Sequence, residues 1–198
     1  MILSFCFLLA TAGISAPVQP DASKVLVECK NLLPSTVEVS GRIIVRTRRG
    51  IVKSEHKYVI KRMDSKIESL RLDGRLLPEP RDFSKPILDE SALTWSDLTL
   101  EYLDWDKVRF STEKEDESVH AQKGKVIVAE KGSRSVKLWV DRKTNALLQA
   151  EEKNGGKVRR LWGTRLKKFN GKYSVSVMEV ENLGSGLRTK ITVEEINE

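Results

Sequence analysis

At 198 residues, with 39% hydrophobic and 32% charged residues, the chain is long enough for one domain with a sizeable core and too charged for a membrane-embedded bundle. The formal charge of +7 allows acidic partners or anionic lipid headgroups. Acidic runs such as Glu113-Lys-Glu-Asp-Glu117 interrupt the basic clusters Arg46-Thr-Arg-Arg49, Arg159-Arg160 and Arg165-Leu-Lys-Lys168, which is also the pattern of a mixed, solvated surface.

The first sixteen residues differ from the rest. Met1-Ile-Leu-Ser-Phe-Cys-Phe-Leu-Leu-Ala10 is an uncharged apolar run followed by small residues, the pattern of a secretory signal peptide with cleavage after Ala12 or Ala16. Pro17 makes the second site the poorer one. The alternative is a short N-terminal anchor left uncleaved, but the run is shorter than the ~20 residues a spanning helix needs, so a soluble, exported product is expected, and export argues against nucleic acid as a partner. Removal of Cys6 leaves Cys29 alone, which excludes a disulfide-stapled fold and points to a buried helix residue rather than a reactive thiol.

Residues 17–198 read as a single domain without repeat or linker. Asp21 caps a predicted helix with Val25, Leu26, Cys29, Leu32 and Leu33 at helical spacing, and Pro34 stops it. Residues 36–47 read as a strand with Ile43 and Val45 on one face, residues 57–61 as its hairpin partner across Arg49-Gly50, and residues 67–72 as a third strand closed by Asp73-Gly74. Pro78, Pro80 and Pro86 make residues 76–86 an exposed loop, because proline cannot donate to a ladder. Residues 91–98 suggest a short helix or irregular lid capped by Ser91 and carrying Leu93, Trp95 and Leu98.

From Lys107 onward strands follow one another: 108–112, 125–130, 135–141, 146–152, 157–168, 173–181 and 188–194. Their turns are 141–145, Asn154-Gly-Gly156, Asn170-Gly171 and Gly184-Ser-Gly186. No helix separates these strands, so the sheet is an antiparallel meander and a parallel α/β fold is excluded. Val136, Leu138 and Val140 alternate with Lys137, Trp139 and Asp141, and Thr189, Ile191 and Val193 alternate with charged or polar neighbours. Alternation of this kind gives the sheet one apolar side that something must cover.

Catalytic machinery is not visible. His56 and His120 do not form a metal-spaced pair, Cys29 lacks a cysteine partner, and Asn154-Gly-Gly-Lys157 is a hairpin turn rather than a phosphate loop. Asp104-Trp-Asp106 places two carboxylates at a spacing common on surfaces. Neither enzyme, metal nor cofactor is expected. The aromatic residues Trp95, Trp105, Trp139, Trp162, Phe83, Phe110 and Tyr58 are suited to lining an apolar cavity or to plain core packing. Leu161 and Trp162 are adjacent, so both faces of their strand should be covered.

Trp95-Ser-Asp-Leu-Thr-Leu-Glu-Tyr-Leu103, then Val136-Lys-Leu-Trp-Val-Asp-Arg-Lys-Thr144, then the long strands from Val158 to Asn182 and Thr189-Lys-Ile-Thr-Val193 resemble the outer membrane lipoprotein-sorting proteins, the LolA-like group. The resemblance implies a mainly β fold: a large, incompletely closed antiparallel sheet, or half-barrel, with a few covering helices over an apolar cavity. It implies a periplasmic carrier of lipoprotein acyl chains or another lipid, with a membrane-associated partner protein. The wall would comprise Val136, Leu138, Val140, Leu148, Val175, Val177, Ile191 and Val193, and the lid Leu93, Trp95 and Leu98. The same group closes its lid with an arginine; Arg42, Arg46 and Arg48 lie in that region. The alternative is a β module for protein interaction whose cavity is filled by its own side chains.

Overall fold

The computed structural model describes residues 21–64, 66–112, 116–119 and 121–197, with residues 172 and 173 described by their backbone alone. The expected export segment (residues 1–16), with Cys6, and His120 lie outside the described residues. Helix α1 (Ala22–Asn31) is capped by Asp21, whose Oδ1 accepts from the Ser23 amide at 3.1 Å. It buries Ala22, Val25, Leu26 and Cys29. Leu32, expected on the same stripe, is 56% exposed, because the helix has ended and the chain turns away toward Pro34.

Twelve strands follow: β1 (Val37–Thr47), β2 (Val52–Met63), β3 (Lys66–Leu72), β4 (Arg75–Leu77), β5 (Lys107–Phe110), β6 (Asp116–Val119), β7 (Gln122–Lys131), β8 (Arg134–Asp141), β9 (Leu147–Asn154), β10 (Lys157–Phe169), β11 (Lys172–Asn182) and β12 (Leu187–Asn197). They form one antiparallel sheet in the order β4-β3-β2-β1-β12-β11-β10-β9-β8-β7-β5, with β6 beside β7. The two ends of this order do not meet, so the sheet is a half-barrel rather than a barrel. The chain's last strand joins its two halves: β12 pairs with β1 on one side and β11 on the other.

Register assigns the two faces, because directly opposed residues of an antiparallel pair point the same way. Ile127, Leu138, Ala150, Leu161, Val180, Thr189 and Val45 form a continuous inner row across seven strands, and all are buried. The outer face carries Lys137, Glu151, Arg160, Glu181, Arg188 and Arg46 in another continuous row, with the charge alternating over the first five. Arg160 bonds Glu151 at 2.8 Å, and Arg188 lies 3.1 Å from Glu181. Apart from Thr189 the inner row is thus apolar, and the outer row is charged.

Between β4 and β5 the chain crosses the concave side. Pro86 bridges Thr94, α2 (Trp95–Thr99) follows, and Leu100 takes a left-handed φ of 53° that turns the chain into a single 3-10 turn, Glu101–Asp104. The helix starts at Thr94 rather than near Ser91. Asp97 Oδ2 accepts from both the Thr94 amide (2.8 Å) and its hydroxyl (2.9 Å), which satisfies the first turn. Ser91 instead donates to the Leu93 carbonyl.

Candidate functional site: the covered concave face

The concave face and its cover form one apolar cluster. From the sheet come Ile43, Tyr58, Ile60, Leu70, Val136, Leu138, Val140 and Ile191; from the cover come Leu93, Trp95, Tyr102 and Trp105. Leu93 is fully buried, Trp95 is 5% exposed, and Leu98 is half-buried against the same cluster. Phe83 packs on Trp95 with ring centroids 6.3 Å apart. The three residues expected to form a lid therefore sit inside the hollow of the sheet, and their side chains occupy it.

Among the residues expected to wall a cavity, Val136, Leu138, Val140 and Ile191 belong to this inner cluster. Val193, opposite Gly41, lies on the same side at the margin. Leu148 and Val177 do not. A register shift between Trp139 and Val140 turns Leu148 outward, toward Gly124, and Val177 follows Thr192 and Arg42 on the outer face. Val175 lies beyond two register shifts, packed toward Gly163 at the root of the β10–β11 hairpin. Of the tryptophans, Trp95 and Trp105 face inward, whereas Trp139 and Trp162 are opposed through Gln149 on the outer side. There Trp139 Nε1 donates to Glu117 at 2.7 Å.

What fastens the cover is ionic. Arg134 on β8 and Arg159 on β10 both point inward, and Glu152 on β9 stands between them. Arg134 reaches Glu152 (Nε to Oε1, 2.6 Å), Glu101 (2.7 Å) and the Ser96 hydroxyl (2.5 Å), with its guanidinium 5.0 Å from the Trp105 ring centre. Arg159 donates to Glu152, to Asp97 Oδ2 (2.5 Å) and to the Ala92 carbonyl (2.9 Å). The Ala92 amide in turn donates to Thr189 Oγ1 on β12 at 3.0 Å. Glu152 and Asp97 are only 6% and 8% exposed, so these charges are held away from water by their partners alone. Hydrogen bonds from Ser96 and Arg134, with the nearby charges of Arg134 and Lys131, outweigh the upward push of burial and hold the Glu101 carboxyl below its ordinary range.

None of Arg42, Arg46 or Arg48 reaches the cover. Arg42 is bound on the outer face by Glu194 (2.6 Å) and Glu55 (3.1 Å), Arg46 by Glu179 (2.9 Å), and Arg48 lies 4.0 Å from Glu181. Arg134 and Arg159 take the fastening role instead. A sequence signal for Arg159 and Glu152 existed: alternation from Leu161 and Ala150 places both on the inward face, where an isolated charge would be costly.

Two buried donors near this network have no acceptor among the described residues: the Tyr102 hydroxyl and Trp105 Nε1. Their rings meet edge to face, 6.5 Å between centres, and burial pushes the Tyr102 hydroxyl well above its ordinary range. At the β2 margin, an open hollow of about 630 Å³ is lined by Arg42, Glu55, His56, Lys57, Asp73 and Glu194, all of them charged or titratable side chains. Among the described residues no group of three or more His, Cys, Asp or Glu is placed to hold a metal ion, and no helix is long and apolar enough to cross a membrane. Asp104 is engaged by Lys30 at 2.5 Å.

Comparison with solved structures shows the same fold in other proteins. A LolA superfamily protein from Nitrosomonas europaea superposes with a TM-score of 0.67 at 14% identity, over 90% of this chain and 94% of that one. A putative outer membrane lipoprotein-sorting protein domain from Vibrio parahaemolyticus gives 0.69 at 14% identity, over 89% and 91%. A DUF1329 family protein from Desulfovibrio piger gives 0.63 at 15% identity, over 89% and 91%. No curated protein sequence matches the chain. Residues 85–198 match a family model described as "-like: Uncharacterized protein". That match spans more than half of the chain and includes the whole ionic fastening from Asp97 to Arg159. The chain belongs to this family, and its fold is LolA-like.

Proposed function

We propose that the protein is an exported, periplasmic carrier that holds the acyl chains of a lipoprotein or another lipid on its concave face, beneath a cover that swings away. The observation carrying this reading is the construction of the cover: Leu93, Trp95, Tyr102 and Trp105 bury apolar surface against the sheet, while its attachment runs through a separate polar set, Arg134, Arg159, Glu152, Asp97, Ser96 and Glu101. Such a cover can leave without stranding charge, because each partner gains water as the contact opens.

The magnitudes permit exchange. About ten methylenes at roughly 0.8 kcal/mol each contribute on the order of 8 kcal/mol, against roughly 1.5–3 kcal/mol for exposing each of Leu93 and Trp95. Tyr102 and Trp105 strengthen the case, since each unmet buried donor costs about 1–3 kcal/mol that an acceptor on the guest would recover. The likeness to lipoprotein-sorting structures supports the same reading, which needs no catalytic group, metal or cofactor and leaves loading and unloading to a membrane-associated partner protein.

Purified protein should take up an apolar fluorophore, and more of it when Arg159→Leu loosens the cover. Organic extracts of protein isolated from its native compartment should contain lipid on mass spectrometry. Absence of lipid together with absence of uptake by both proteins overturns the proposal. A second reading, a non-enzymatic β module with a self-filled hollow, is favoured by the complete burial of Leu93 and near-complete burial of Trp95. It predicts a partner captured through charge and released at high salt, whereas acyl binding persists there.

A further inference from the structure

The hairpin formed by the distal halves of β10 and β11 stands apart from the sheet. Pairing of β10 with β9 ends at Trp162, and pairing of β11 with β12 ends at Val177, yet β10 and β11 stay paired as far as Phe169 and Lys172. Residues 164–168 are all exposed, with none of the alternation of a strand lying on a core, so both faces of this strand meet water. The tip is nonetheless held in place, because Asn170 Nδ2 donates to the Ile196 carbonyl at 3.0 Å.

Its charge is distinctive. Between Trp162 and Glu179 the sequence carries four Lys or Arg, Arg165, Lys167, Lys168 and Lys172, and no acid, so the hairpin cannot neutralise itself. In the other basic clusters Arg46 pairs with Glu179, Arg159 with Asp97 and Glu152, and Arg160 with Glu151. Arg165, Lys167 and Lys168 have no carboxylate partner among the described residues. Lys167 lies over the Phe169 ring at 4.9 Å, and Leu166 between the cations is 62% exposed.

We propose that this hairpin is a docking element for an anionic phospholipid surface. Unneutralised cations attract the headgroups, while Leu166 enters the boundary between headgroups and acyl chains. An acidic protein surface would use the cations equally well but gives no reason for an exposed leucine among them. The inference is independent of whether the concave face carries a guest.

The test is co-sedimentation of the full chain with vesicles of phosphatidylcholine alone and of phosphatidylcholine mixed with phosphatidylglycerol. Binding should require phosphatidylglycerol and weaken as salt is raised. Replacing Arg165, Lys167 and Lys168 together by Glu should lower partitioning by about a hundredfold or more, given the usual contribution of a cation near an anionic surface. Leu166→Ser should lower it several-fold without changing its salt dependence. Placing the same three charge reversals at exposed Lys66, Lys107 and Lys143 should lower it far less. Failure of the full chain to bind phosphatidylglycerol vesicles overturns the proposal. So does equal loss from the distant reversals, which would make net charge rather than the hairpin responsible. Retention of binding by both hairpin variants overturns it too.

Discussion

Arg159 and Asp97, 62 residues apart in sequence, meet at 2.5 Å beneath the cover and join the inward face of β10 to the first turn of α2. The same Asp97 oxygen accepts from the Thr94 amide and hydroxyl, so the cap of the helix and its attachment to the sheet share one carboxylate. Shape and fastening of the cover are therefore coupled.

Arg159→Leu leaves Asp97 and Glu152 buried with one guanidinium fewer between them. Removing one partner of a buried ion pair typically costs about 3–5 kcal/mol. Urea unfolding should show a loss of that size, and limited proteolysis should cut the cover first. A loss of about 1 kcal/mol or less, the range of exposed pairs, would mean that water already reaches the site and that the fastening is weak.

Strand identity was legible wherever the period-two pattern ran long. Val136, Leu138 and Val140 fall on the inner face as their alternation requires. Short or irregular pieces were not legible: β4 has three residues, and β6 begins within an acidic run that reads as surface. Leu148 and Val177, placed in the wall by the resemblance, lie on the outer side. The shift between Trp139 and Val140 reverses the first, and nothing local in the sequence marks it. Alternation turns Arg159 and Glu152 inward, but their pairing in the cover's fastening is not legible: it joins residues on four separate segments, and no spacing rule connects Asp97 to Arg159 or Glu101 to Arg134.

Glu101 makes the cover sensitive to acid. Burial alone would raise its pKa, but the hydrogen bonds from Ser96 and Arg134 and the charges of Arg134 and Lys131 win, so the folded value lies below the ordinary 4.5. A carboxyl lowered in the folded state contributes stability that is complete above its unfolded pKa and lost as pH falls through the folded one. Stability should hold from neutrality to about pH 4.5 and decline below it. In Glu101→Gln that decline should be shallower, although the variant starts from a lower plateau. Urea midpoints measured across this range decide the matter, and parallel curves for the two proteins would remove Glu101 from the account.

Cys29 offers a probe of α1. Burial pushes its thiol up from 9.0 to about 11, a change of roughly two units that lowers the thiolate fraction on the order of a hundredfold at neutral pH. Native protein should react with a thiol reagent such as DTNB at least that much more slowly than unfolded protein. Lowering the pH or adding urea below the unfolding transition should leave the rate low if α1 remains docked. Early acceleration would identify α1 as a unit that opens before the sheet.

Gly41 fixes the seam between the two halves of the sheet. It sits at a register shift between β1 and β12, and a Cβ placed there would lie 1.9 Å from the Thr192 carbonyl oxygen. That atom is backbone, so no side-chain rotation relieves the clash; β12 must move away or the pairing must break. Gly41→Ala should therefore cost at least the 1–3 kcal/mol or so of a forced overpacking, well above the small effect of alanine at an ordinary strand position. Because β12 pairs with β1 on one side and β11 on the other, the amides of residues 41–45 and 189–193 should lose hydrogen-exchange protection together. Gly163→Ala provides the contrast: its Cβ would meet the movable Val175 side chain at 3.2 Å, and the loss of protection should stay within β10 and β11. If Gly41→Ala melts like wild type with protection intact, the close approach at this seam is not what holds the two halves in register.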